Sequence, residues 1–519
     1  MYIQPETNIK ILKGVPLDTT YEHTLWFDTP AAQTAYFSSL TKFNLEGMSY
    51  QRVNRGVARV GRKAEDLYDC NYMMFQNTAF GSKWFYAYIT SVEYVNNITS
   101  EITFEIDVMQ TWFFDHTPDY CFVEREHTET DAIGEHIEPE NVDTGEYVYN
   151  FYEPVDNFSD MSVVIAIVDT GEEAVTGNIY DGVYGGATLW AYRVDQVAEI
   201  NAKIKEYIQK PDSIQTIYMC PQVFVGKSGK LGGGSSAPVM DKTYSAIGRG
   251  SSLDGYVPKN AKLYTYPYNF LSVDNATGNS MSLRYEFFPG LTPKLRIFGT
   301  ITQPIQAVCY PVGYKNAGSG GGSNTLNTES LQVNSFPMCS WNSDSYKAWV
   351  AQNTIPVATQ AIGTVANSAG VGAITGNIMG AFAGAVGGLI SGVTSAISQT
   401  YSASIQADLA KGTANNGGVN TAAGKNQFYV GRVSMSAEYA RSVDEFFTKF
   451  GYAVRRLKIP NRSSRPHWNF VKTIGATLTG SVPADDMKKL CKIYDAGVTF
   501  WKNGAEVGNY GLNNSPGGV

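Results

Sequence analysis

Lys83-Trp84-Phe85-Tyr86-Ala87-Tyr88-Ile89-Thr90-Ser91-Val92-Glu93-Tyr94-Val95, followed shortly by Ile102-Thr103-Phe104-Glu105-Ile106-Asp107-Val108, carries the first clear structural signal in the chain. The first run is aromatic and β-branched, and the second alternates apolar with polar residues, so both read as strands. Ile102, Phe104, Ile106 and Val108 are expected on one face. Asn96-Asn97 lies between the runs where a tight turn needs residues that tolerate positive φ, which predicts an antiparallel hairpin. Further strands are expected at 161–168, 282–288, 294–302 and 428–435. Helices are few: 194–210, 437–450 and 484–496 space their apolar residues at helical intervals. The last has Pro483 before it, Asp485 and Asp486 in its first turn and Gly497 past its end. The expected class is mainly β with a few helices.

Composition narrows the function. Across 519 residues, 40 Lys and Arg face 48 Asp and Glu, a net charge of -8, so the surface field is expected to repel nucleic-acid phosphates and a dedicated DNA-binding protein is not expected. The 6 Cys form no Cys-x-x-Cys pair and the 5 His are scattered, so the sequence offers neither a disulfide scaffold nor a metal centre, and no cofactor is expected. The cysteines read as free thiols, buried or nearly so. A basic and apolar leader is absent from the first residues, which predicts folding in the cytoplasm. No Gly-x-Ser-x-Gly, no His-Glu-x-x-His and no Cys/His arrangement appears, so the chain is expected not to be an enzyme. Two carboxylates brought together only by folding would keep one alternative open, a cell-wall glycosidase.

Three stretches, 226–236, 317–323 and 412–424, are rich in Gly, Ser and Asn and read as mobile connectors. Residues 124–146 hold nine carboxylates against one Arg, without the spacing of a calcium loop, and read as a solvated acidic surface. Residues 441–472 hold eight basic residues, among them Arg455, Arg456, Lys458, Arg462 and Arg465, against two acidic ones. This basic stretch is a candidate for contact with another subunit or with DNA. The favoured reading pairs it with acidic surface such as 124–146, on the same or a neighbouring subunit.

From Ala348 to Ala407 the chain runs sixty residues without Asp, Glu, Lys, Arg or His. Within this stretch Gly372, Gly376, Gly380, Gly384, Gly388 and Gly392 recur every four residues, interleaved with Ile374, Ile378, Met379, Phe382, Val386, Leu389 and Ile390. On a helix, glycines at this interval would strip side chains from one ridge and let a second helix approach backbone to backbone. The 27 residues of 371–397 would extend about 40 Å as a helix, enough for a hydrocarbon core of roughly 30 Å. Glycine nevertheless costs about 1 kcal/mol per residue in a helix relative to alanine and adds almost nothing to burial. Such a segment suits storage inside an assembly and conditional entry into lipid. A buried loop or a flexible low-complexity stretch is the competing reading.

Several motifs also carry a family resemblance. Thr7-Asn8-Ile9-Lys10-Ile11-Leu12, Met74-Phe75-Gln76-Asn77, Gly81-Ser82-Lys83-Trp84-Phe85-Tyr86-Ala87 and Gln110-Thr111-Trp112 at one end, with Gly451-Tyr452, Lys458-Ile459-Pro460-Asn461 and Gly508-Asn509-Tyr510 at the other, resemble the distal tail tube or tail knob proteins of small short-tailed bacteriophages with terminal-protein-primed genomes. The likeness covers 1–165 and 425–519 and little of 169–345. It implies a virion protein, a homohexamer at the tip of the tail whose β-rich domains close into a tube joined to the proximal tail (lower collar) protein. In that family long apolar loops plug the lumen, then leave it to open a channel through the host cytoplasmic membrane, and viral DNA passes without specific binding. The matching residues here are 354 to about 407. The expected division is an N-terminal tube domain at 1–168, a peripheral region at 169–345, the apolar loop at 346–424 and a segment completing the tube at 425–519. The alternatives to a channel-forming knob are the cell-wall hydrolase and a passive receptor-binding knob with a buried Gly-rich loop.

Overall fold

The computed structural model describes residues 6–49, 56–78, 81–158, 160–168, 178–180, 183–185, 187–207, 213–231, 240–276, 278–302, 305–316, 330–333, 338–339 and 427–516. The chain forms two compact units, each assembled from separated stretches. One takes 1–145, 255–264 and 437–519, the other 146–254 and 265–436.

In the first unit a six-stranded antiparallel sheet takes the spatial order Thr41–Ser49, Glu6–Lys13, Cys70–Asn77, Trp84–Asn96, Thr99–Ile106, Val57–Val60. Trp84–Asn96 and Thr99–Ile106 pair as the expected hairpin. The turn falls one residue later than expected, at Asn97 and Ile98, with Asn96 opposite Thr99. Ile102, Phe104 and Ile106 lie on the strand, but Val108 does not, because the Asp107 carboxylate accepts the Gln110 amide at 3.0 Å and caps a short helix, Val108–Thr111. The inner part of the sheet is covered on both faces, which accommodates its aromatic residues there, while Tyr94, Val95 and Ile98 at the hairpin tip are exposed. Ile9, Ile11, Met73, Ala87 and Ile102 form one core, while Leu12, Tyr72, Met74, Tyr86 and Tyr88 pack with Trp468 and Trp501 of a second sheet.

The second sheet runs His23–Leu25, Val498–Trp501, Trp468–Ile474, Cys121–Glu126, Tyr452–Lys458, so that strands from the two ends of the chain interleave. Helices Ala437–Phe450 and Ala484–Ala496 form where expected. Helix Pro30–Ser39 was not anticipated, although Thr29, which accepts the Ala32 amide at 3.2 Å, and Pro30 at the first helical position are a standard start signal.

In the other unit, Met161–Ile167 is the central strand of the five-stranded order Gly229–Lys230, Thr188–Arg193, Met161–Ile167, Ile214–Pro221, Met338–Cys339. Every residue of the central strand is buried. Val163, Ile165 and Ile167 pack on Ile200 and Ile204 of helix Val197–Glu206, while Val164 and Ala166 face the larger core. Burial on both faces, at about 1.5–3 kcal/mol for each large aliphatic side chain, accounts for the continuous apolar run 163–167 in place of alternation. Two four-stranded sheets complete the unit, Tyr147–Pro154, Tyr429–Met435, Asn269–Asp274, Ser280–Leu283 and Met240–Ser245, Lys294–Gly299, Ala307–Pro311, Leu331–Val333, with a small hairpin of Asn178–Tyr180 and Val183–Gly185.

Two expectations are corrected. The strand begun at Ser280 stops at Leu283 and gives way to a 3₁₀ turn, Tyr285–Phe287. Within the supposed connector 226–236, Gly229 and Lys230 pair with Ala191 and Trp190 as a sheet edge. The other two connectors, 317–323 and 412–424, and the apolar stretch 348–407 lie outside the described residues. Cys70, Cys121, Cys220 and Cys309 are buried and Cys491 is half-buried, none of the five in a disulfide.

Candidate functional site

The acidic segment 124–146 and the basic stretch 441–472 meet in the first unit, at the strand pair Cys121–Glu126 and Tyr452–Lys458. Glu126 is fully buried, forms an ion pair with Lys458 and accepts the Asn461 amide at 2.9 Å. Lys472 bridges Glu124 at 2.8 Å from the strand on the other side. Glu140 is buried between Arg125 and Lys262, contacting Lys262 at 2.5 Å, and also accepts the Ala453 amide at 2.8 Å. Burial pushes the Lys262 ammonium below its usual range although Glu140 opposes the shift. The expectation of a wholly solvated acidic surface is therefore corrected. Glu126 and Glu140 anchor the segment, because a buried carboxylate is tolerable only when cations and amides satisfy it.

The five basic candidates divide. Lys458 is paired inward. Arg462 lies over the rings of Trp26 and Phe113, 5.2 Å and 5.9 Å from their centroids, and donates to Tyr494 Oη at 3.4 Å. Arg465 is buried and donates to the Asn514 carbonyl at 3.3 Å, and burial lowers the pKa of its guanidinium. Only Arg455 and Arg456 are exposed, and neither makes an ion pair among the described residues. Arg455 has a φ of 48° at a bulge where the register against Cys121–Glu126 shifts.

The sequence reading missed what fixes this corner from the far side. Residues 255–264 return from the middle of the chain and are clamped by helix Ala437–Phe450, whose buried Asp444 accepts Tyr256 Oη at 2.7 Å and the amides of Lys259 and Asn260 at 2.8 and 3.0 Å. Asp444 stands at i+1 from Val443 on the apolar stripe, a placement that could have marked it as a buried hydrogen-bonding acid. Tyr452 Oη adds a bond of 2.6 Å to Asp131.

The apolar candidates from Gly372 to Gly392 lie outside the described residues. Among the described residues no helix is long and apolar enough to cross a membrane, and no group of three or more metal-ligating side chains occurs.

Residues 5–117 match the family model for the N-terminus of the caudoviral major tail protein, and residues 235–515 match the C-terminal domain of tail knob protein gp9 of Bacillus phage phi29. The chain is 27% identical to tail knob protein gp9 of Bacillus phage PZA and 26% identical to that of Bacillus phage phi29, in each case over 98% of both chains. The solved tail knob protein gp12 of bacteriophage C1 shares the fold with a TM-score of 0.61 at 15% identity, over 97% of this chain and 98% of that one. A β-rich frame matched end to end by tail proteins defines a structural component of the bacteriophage virion tail. The chain belongs to the phi29 gp9 tail knob family. The relatives align through 169–345 as well, where the end motifs alone had left the resemblance thin. Membership accords with the expectation of a structural protein and not an enzyme.

Proposed function

We propose that this tail knob protein forms a homohexameric tube at the tip of a short tail, attached to the proximal tail protein, with its apolar segments stored in the lumen until infection. On release the segments enter the lipid of the host cytoplasmic membrane and line a channel for the genome. In this reading 1–168 and 425–519 build the tube, 169–345 lies at its periphery and 346–424 is the stored loop.

One observation carries the reading, the sixty charge-free residues of 348–407 with glycine at every fourth position from Gly372 to Gly392. A segment of that length meets the thickness of a bilayer, while its glycine content keeps it from being a permanent anchor. The net charge of -8 fits a passage that DNA traverses without gripping, since each lysine or arginine that neutralised a phosphate would add a salt-dependent hold.

The test is dye release from sealed phospholipid vesicles by the purified full-length protein, alongside phage carrying a deletion of 363–418. Release from the vesicles, with mutant particles that assemble and adsorb but deliver no DNA, is the expected result. Mutant particles that fail to assemble or adsorb would favour the receptor-binding knob with a buried loop.

A further inference from the structure

The strand Tyr452–Lys458 forms one edge of the second sheet of the first unit. Its first half is covered, since Glu140 accepts the Ala453 amide and Arg125 donates to the Gly451 carbonyl at 2.6 Å. Its second half is open, with Arg455, Arg456 and Leu457 all exposed. Leu457 stands directly opposite Phe122, and Phe122 directly opposite Ile474, so the three side chains make a row across adjacent strands on one face. Leu457 is 74% and Ile474 57% exposed. Charged residues commonly blunt an edge strand, and the two arginines would suffice for that. An apolar row beside them serves no such purpose, and apolar patches rimmed by charge mark contact surfaces.

A second surface in the same unit has the opposite sign. Ile133 and Ile137 are 42% and 41% exposed on the acidic segment, flanked by exposed Glu129, Glu135 and Glu138. The ion pairs of this corner are already matched inside the unit. Glu124, Glu126 and Glu140 take Lys472, Lys458, Arg125 and Lys262. What remains is Arg455 and Arg456 on the open edge strand, and on the acidic segment Glu129, Glu138 and Asp143 with no ion pair among the described residues and Glu135 with only the adjacent His136 at 3.9 Å. Each surface thus combines exposed aliphatic side chains with charge that the other would neutralise.

We infer that these two surfaces are the halves of a contact between copies of this chain, in which Arg455, Arg456 and the row Leu457–Phe122–Ile474 of one copy meet Ile133, Glu135, Ile137 and Glu138 of a second. The inference rests on the assembly reading above and specifies which residues make the contact.

Sedimentation of the full chain over a concentration series tests it. Arg455→Glu with Arg456→Glu should raise the concentration for half-assembly about tenfold or more, as should Glu135→Arg with Glu138→Arg, since charge reversal turns attraction into repulsion at each contact. Mixing the two variants in equal amounts should restore assembly, because every contact then pairs opposite charges again, which a folding defect would not allow. Unchanged assembly of the arginine variant, or no restoration on mixing, overturns the contact and leaves the ring reading standing. A wild-type chain that stays monomeric at every concentration overturns both.

Discussion

Asn260 and Asp444, 184 positions apart in the chain, are joined three times: the Asn260 amide donates to Asp444 Oδ1 at 3.0 Å, and its side-chain Nδ2 donates to the same oxygen at 2.9 Å and to the Asp444 carbonyl at 3.0 Å. With Tyr256 Oη and the Lys259 amide on Oδ2, the carboxylate holds an entire returning segment. Asp444→Ala strands these buried donors and should cost about 3 kcal/mol of stability, measured by urea unfolding. Asp444→Asn retains one acceptor oxygen and should cost less. Equal stability of the alanine variant and wild type would mean the segment is held by something else.

Removing Glu140 leaves the Lys262 ammonium uncompensated, with its side chain 2% exposed. Glu140→Ala should destabilise the protein by about 3–5 kcal/mol. Adding Lys262→Met should recover part of that loss, because the desolvation penalty leaves with the charge. Paired unfolding curves of the single and double variants decide the point.

His127 is buried with its Nδ1 accepting the Phe470 amide at 2.8 Å, and burial, helped by Arg465, pushes its pKa down to about 3. His116 is pushed down to about 4 for the same first reason. Between the ordinary histidine value near 6.5 and these values the unfolded chain binds protons that the folded chain refuses. Stability therefore falls as pH drops through that window, by about 1.4 kcal/mol per pH unit for each histidine, and the two histidines contribute no slope above it. Asp107, raised by burial, works in the opposite sense at its own titration. His127→Gln should remove one histidine's share of the acid slope, as read from Tm between pH 4 and 6.5.

Gly451 has a φ of +64°, and a Cβ there would sit 2.2 Å from the Glu126 carbonyl oxygen. Gly451→Ala meets both the left-handed backbone and fixed main chain, so a loss of about 3 kcal/mol is expected in thermal unfolding. A neutral outcome would require Cys121–Glu126 to shift.

If 371–397 enters lipid as a helix, replacing Gly380 and Gly384 together with Ile would fill the shallow groove that glycines at four-residue spacing leave. Dye release from vesicles should drop relative to wild type at equal protein. Unchanged release would remove the role assigned to the glycine interval while leaving the apolar segment as a whole in place.

Local pattern was enough for much of the frame. Alternation and aromatic density located the hairpin 84–106, an apolar run interrupted only by Ser162 located Met161–Ile167, and helical spacing with its flanking residues located Ala437–Phe450 and Ala484–Ala496. These features depend on residues near one another in the chain, and their periods survive in the sequence. The divided role of the basic stretch was not legible. Arg455 and Arg465 are ten positions apart and identical as letters, yet one faces water at a bulge and the other is buried against the Asn514 carbonyl.

The chain's own order of residues settled its β character, its lack of a metal or disulfide signature and the charge-free stretch with its fourfold glycine interval. Tertiary structure decided which carboxylates of 124–146 are anchors and which stay open, and that residues 255–264 belong with the two chain ends. Burial and ion pairing depend on which distant segments fold against a side chain, and no local period records that partner.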